Sequence, residues 1–264
     1  MQARSHQNGA LRGLADAGAA RASEGKKVLT ASPRRPGRAG QAKLSSIQQQ
    51  IALENEKLLG HPYFHLCRTK AMSRDHLLGV VKQMYGFSLL FERLVTRRIA
   101  ESSSDTDERV LSLARQLLRE EIGHPELFYE CLRKSGLSKD ELARASPNTF
   151  LRALYGYLLA TIQHENEYVG NIAMMQVMET IGLHVFGATL PAVQQYDLAS
   201  TFLKQHADDD EAHSQMGLDL IPSFDEPTMS TSRRVISDVY RIVHFVLDDF
   251  VTLGKPRVSR EGKA

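Results

Sequence analysis

From Ser45 onward apolar residues recur every three or four positions, the period of a helix with one face turned to a core. No run of alternating apolar and polar residues marks a strand. The first predicted helix starts near Ser45 and Ser46, presents Ile47, Ile51, Leu58 and Leu59, and stops at Gly60-His61-Pro62. The second starts at Ser73, whose hydroxyl suits an N-cap, and carries Leu77, Val80, Met84, Phe87, Phe91 and Leu94 on its apolar face. A third runs from about Asp107 to Ser135, ends at Gly136 and is interrupted by Pro125. A short helix over Asp140–Ala145 stops before Pro147. A long segment follows from Thr149 to Phe186, broken near Asn166–Gly170. The next spans about Pro191 to Leu220 and is terminated by Pro222, and the last covers Thr231–Leu253 and ends at Gly254. These are about seven helices with short connections, an all-α bundle over residues 45–255 with no internal repeat.

Composition changes this picture mainly at the ends. The chain has 264 residues and a formal charge of +2, but residues 1–45 hold nine Lys/Arg against two acids, +7, which leaves the remainder at −5. Residues 1–44 lack apolar periodicity, are rich in Ala, Gly, Arg and Ser, and contain Ser32-Pro-Arg-Arg-Pro-Gly37; they are expected to be a disordered basic tail. Its acid-poor, Arg-rich character is similar to that of a transit peptide, and it also suits a weak contact with nucleic acid or membrane, but an idle tail is the favoured reading. Residues 256–264 form a second, short tail. No stretch approaches the roughly 18 apolar residues of a membrane span. Cys67 and Cys131 are the only cysteines and form no Cys-x-x-Cys pair, which argues against a disulfide framework or thiolate zinc site and for a cytoplasmic setting.

The candidate chemistry lies on apolar faces. His206, Asp210 and His213 stand at i, i+4 and i+7, within about 60° of one helix face, together with Phe202, Gly217 and Leu220. Three ionisable groups in an apolar stripe are costly unless something pairs them, and a metal ion does so directly. Glu121 and His124 are adjacent at i, i+3 and share a face with Leu117 and Phe128, whereas Glu120 points about 100° away and reads as solvated. Pro125 disfavours helix at His124, so the helix either bends at this pair or restarts at Pro125 with His124 as its cap. Glu179 is embedded among Ile172, Met175, Leu183 and Phe186; unpaired, it would have to stay protonated. Glu92 is a weaker candidate, either a ligand or an exposed partner of Arg93 or Arg97, and Glu165 and Glu167 are weaker still. Carboxylates and imidazoles without thiolate suit iron or manganese, and this many ligands on four helices suits two ions rather than one.

Two helical architectures can hold such a set. A ferritin-like bundle uses a Glu from each of two helices and Glu-x-x-His from two others, which leaves His206 surplus. On Gly123-His-Pro-Glu-Leu-Phe128, the mid-helix Glu179 and His206-x3-Asp210-x2-His213, the chain resembles the heme-oxygenase-like di-iron oxidases and oxygenases. These are relatives of the thiaminase II and pyrroloquinoline-quinone biosynthesis C folds. The resemblance covers about residues 45–255. It implies a heme-oxygenase-like bundle in which Glu121, His124, Glu179, His206, Asp210 and His213 hold two irons, with Glu179 as a bridge and Glu92 as a further ligand. It also implies an O2-dependent oxidation of a small amine, amino acid or fatty acid, by N-oxygenation, desaturation or C–C cleavage, in a biosynthetic pathway. The expected partner is a small-molecule substrate rather than nucleic acid or membrane, and a homodimer is left open. The alternatives are a non-redox or cofactor-free member of the same fold, for which Cys131 is the one plausible thiaminase-type nucleophile, and a non-enzymatic helical interaction protein.

Overall fold

The computed structural model of the chain describes residues 37–253 other than 145 and 199, and leaves out the side chains at 139, 209 and 210. Both predicted tails fall outside the described residues, apart from 37–44. Residues 38–44 belong to the first helix, α1 (Arg38–Leu59), with Gly37 at its N-cap, so the helix starts earlier than the expected Ser45. Ala39, Gln41 and Ala42 are good helix formers, Leu44 packs on the core, and the Lys43 ammonium donates to the Phe224 carbonyl. The basic composition of this stretch concealed that anchoring.

The stop at Gly60-His61-Pro62 proves also to be a start. His61 caps α2 (Pro62–Arg68), its Nδ1 accepting the Tyr63 N–H at 3.2 Å, and Pro62 takes an early helical position where no N–H is needed. Ser73 caps α3 (Arg74–Ala100) as expected, with its hydroxyl 3.2 Å from the His76 nitrogen. The third predicted helix is two: α4 (Glu108–Glu121) and α5 (His124–Lys134). Ser138 and Glu141 close a capping box on α6 (Lys139–Ala143). Asn148 caps α7 (Thr149–His164), and Asn166 caps α8 (Glu167–Asn171), which places the break in the long segment at Glu165–Asn166.

From α8 the chain continues through a π-helical segment, Ile172–Met178, into α9 (Glu179–Gln194). The boundary expected between Phe186 and Pro191 is absent. Pro191 lies inside α9, where the hydrogen bond it forgoes is the one to Gly187, and the fully buried Ala192 and Val193 hold the turn in place. The chain turns instead at Asp197, which adopts φ 53°, and α10 (Ser200–His213) follows. It ends before the expected Leu220, because Gly217 at φ 78° diverts the chain into a 3-10 turn, Leu218–Ser223. The last helix, α11 (Glu226–Thr252), begins ahead of Thr231 on an Asp225 cap with Pro227 in its first turn.

All regular structure among the described residues is helical. The core is one cluster in which α11 supplies Val235, Ile236, Val239, Tyr240, Leu247 and Phe250, packed against α1, α2, α7 and the π segment. Helix α3 packs on α4, α5 and α7, and α9 lies along α10. Between these two groups of helices the candidate ligands meet. No helix among the described residues is long and apolar enough to cross a membrane.

Candidate metal centre

Glu121 is the last residue of α4 and His124 the first of α5. Gly123 between them takes φ 91°, a left-handed conformation that costs a side-chain-bearing residue roughly 1–2 kcal/mol. It serves as the N-cap of α5, while Pro125 occupies the first turn. The helix therefore restarts, as one of the two sequence readings had it, but the cap is Gly123 and not His124. The break keeps the pair together: His124 Nδ1 lies 3.0 Å from Glu121 Oε2. Glu121 is 5% exposed, and its Oε1 is buried without a hydrogen bond.

Glu179 opens α9 directly after the π segment and is 4% exposed. A π turn widens the helix and shifts the face on which the following residues emerge. All seven residues of that segment are buried. Its Gln176 amide donates to the Met216 carbonyl, which ties the π segment to the chain just beyond His213, and the Thr180 hydroxyl donates to the Gln176 carbonyl.

Helix α10 brings two buried imidazoles. His206 meets the ring of His124 edge-on at a centroid distance of 4.7 Å and lies against Phe202 (4.3 Å) and Phe186 (4.9 Å). His213 places Nδ1 3.4 Å from Glu179 Oε2 and Nε2 3.0 Å from Glu120 Oε2. The Glu179 carboxylate beside it, with Glu120 and Glu121, raises the His213 pKa to about 9 against the opposing effect of burial. Asp210 belongs to α10, and its side chain lies outside the described residues.

Two ligand groups result: Glu121 with His124 and His206, and Glu121 with Glu179 and His213. In each, one donor atom per residue lies within 4.8 Å of the others, and Glu121 is common to both. A buried carboxylate with an oxygen lacking any hydrogen bond costs free energy that a cation offsets directly. The donors are all oxygen and imidazole nitrogen, a set that fits iron.

Glu92, on α3, belongs to neither ligand group. It is half-buried at the border of the site, and its pKa is raised by burial and by Glu126 and Glu121, while Arg93 and His124 oppose the shift. Arg97 is not its partner, since Arg97 pairs with Glu101 at 3.2 Å. Glu165 pairs with Arg234 at 2.5 Å, and Glu167 accepts the Asp107 N–H at 2.9 Å, so both are committed elsewhere. Glu120 is the residue that the sequence reading placed in solvent and the structure places against His213. The helix ends one residue later, so no following turn confines it to one face. The doublet Glu120-Glu121 at a helix end, ahead of Gly-His-Pro, was the available signal. Cys131 is buried and belongs neither to a ligand group nor to the cavity beside the site. That cavity, of about 120 Å³, has Glu121, His124, Glu179 and His206 in its wall.

Residues 78–246 match a family described as iron-containing redox enzymes. No curated protein matches the chain. Among solved structures, a domain with a heme oxygenase-like fold from Shewanella denitrificans is similar at 16% identity and TM-score 0.68, covering 79% of this chain and 92% of that one. A TenA homologue from Pseudomonas syringae pv. tomato gives 15% identity and TM-score 0.66 over 83% and 98% of the two chains. A TenA homologue from P. horikoshii gives 12% and 0.59 over 80% and 99%. At these identities the likeness establishes the fold, which is the heme-oxygenase-like bundle that the sequence resembled.

Proposed function

Because the chain belongs to the family of iron-containing redox enzymes, we propose that it is a non-heme di-iron oxidase or oxygenase. Its co-substrate is O2, and it oxidises a small metabolite in a biosynthetic pathway. The observation that carries this reading is the position of Glu121, the one carboxylate common to both ligand groups. A residue so placed is suited to bridge two ions, which moves the bridging role from Glu179, where the sequence resemblance put it, to Glu121. His124 and His206 would then hold one iron, and Glu179 and His213 the other. When bound, such an iron pair supplies the electrons that reduce O2.

The chain's own residues prepare the site. Glu179 and Glu120 flank His213 and favour its protonated form, and a ring nitrogen would have to give up its proton to hold an ion. Phe186 and Phe202 fix the His206 ring and shield it from water. The adjoining cavity, lined mainly by apolar side chains, would give the substrate access to the ligands.

Anaerobic titration with Fe(II) tests the proposal. The wild-type chain is expected to take up two ions, Glu121→Ala to lose both, and His206→Ala to retain one. A wild-type chain that takes up no ferrous ion sinks the reading.

A further inference from the structure

The cavity beside the ligands carries information about what it holds. Beyond the ligand residues, its walls come mainly from α3, α7, α9 and α11, with Met84, Phe87, Leu151, Ile181, Val246 and Phe250 among them, and from Met178 and Phe202. Apart from the ligand residues themselves, Ser88 is the one polar residue in the wall among the described residues. The Ser88 hydroxyl is already committed, donating to the Tyr85 carbonyl at 2.8 Å. No lysine or arginine lines the space among the described residues. A carboxylate placed along these walls finds no cation, and an ammonium finds no acid other than the ligands. Either group would give up its hydration without a partner. An aliphatic chain meets only favourable contacts.

The geometry points to a substrate with a single polar end, directed at the ligands, and an uncharged aliphatic chain that lies in this cavity. The inference rests on the di-iron reading and narrows its substrate class: an amphiphile such as a fatty acid or alkyl amine fits, and a zwitterionic amino acid does not. The volume of about 120 Å³ is close to that of an apolar cavity of roughly 150 Å³ known to stay dry and admit benzene, so it accepts several methylenes without rearrangement. Gly182 is the residue at which added side-chain volume would test the space beside the ligands. It lines the cavity and lies three residues after Glu179 on the same face of α9. A side chain at 182 would compete with the first carbons of the substrate chain.

Calorimetry on the full-length chain, metal-free and after anaerobic Fe(II) loading, tests this with straight-chain 1-alkanols, alkanoates and 2-aminooctanoate as probes. Affinity for the alkanols is expected to rise about fourfold per added methylene until the cavity is filled. It should carry the negative heat-capacity change of apolar burial. The substitution Gly182→Leu is expected to weaken 1-octanol binding about tenfold or more through overpacking, while the number of ferrous ions taken up stays that of wild type. Binding of 2-aminooctanoate as tight as that of octanoate, or alkanol affinity independent of chain length, overturns the inference. So does a folded Gly182→Leu protein that binds 1-octanol like wild type. If Gly182→Leu does not fold, the chain-length series on wild type decides alone. The metal-free arm separates the two readings: normal iron uptake without alkyl binding refutes only the substrate class, whereas alkyl binding without iron uptake refutes only the di-iron assignment.

Discussion

His213 stands between Glu179 and Glu120, with Glu121 close by, and its elevated pKa has a consequence for stability. A histidine whose folded-state pKa exceeds its unfolded value of about 6.5 stabilises the fold fully below that value. The contribution is lost as pH rises through the folded value of about 9. The metal-free protein should therefore lose thermal stability between about pH 6.5 and 9, and His213→Gln should flatten that part of the profile. Parallel melting curves recorded across this range would check it, and equal slopes in the two proteins would refute it. At this scale the sequence was informative where a polar residue interrupted an apolar stripe, as Glu121, Glu179, His206 and His213 do. It was not informative for Glu120, which lies off the stripe and enters the site because α4 ends there.

At the scale of elements, two left-handed glycines separate backbone strain from steric contact. At Gly123 an added methyl would meet nothing within 4 Å, so Gly123→Ala carries only the backbone term, about 1–2 kcal/mol. At Gly217 the same methyl would lie 2.6 Å from Asn171 Nδ2 and 3.0 Å from Leu113 Cδ1. Gly217→Ala should therefore cost about 1–3 kcal/mol beyond the backbone term. Urea unfolding of both variants would test the order, and a Gly123 variant less stable than the Gly217 variant would contradict it. The start at the Ser73 cap was readable from sequence, and so was the start at Thr149, although its Asn148 cap was not singled out. Boundaries inferred from proline alone were less so: Pro62 begins a helix, and Pro191 sits inside one. The π segment left no mark in the apolar period, because every residue in it is buried and there is no polar face to shift.

The whole molecule couples the site to the fold, because the candidate ligands come from α4, α5, α9 and α10 and a bound cation would link all four. A cation that binds only the folded state stabilises it by about 2.7 kcal/mol at 100 times its dissociation constant. For a domain of this size each kcal/mol moves the midpoint by roughly 2–4 °C. Anaerobic Fe(II) should thus raise the melting temperature by about 5–10 °C in the wild type and leave Glu121→Ala nearly unmoved. Scanning calorimetry checks this, and an equal rise in both proteins would show that the iron sits elsewhere. The all-helical architecture was legible because the apolar period holds from Ser45 to the end of α11. The basic stretch before it hid the first turns of α1, whose anchoring depends on the distant Phe224 carbonyl.

The two-residue joint between α4 and α5 has one more implication. Ile122 is 64% exposed, Gly123 is unhindered, and the candidate ligands Glu121 and His124 flank the pair. A protease needs a short stretch of chain to open and enter its cleft, and cleavage under mild conditions follows how often that opening occurs. If iron binds this centre as proposed, the joint would act as a clip site whose cutting rate follows metal binding. Limited digestion should nick the metal-free chain near Ile122 and spare it once iron spans Glu121 and His124, and a cutting rate indifferent to iron would disprove this.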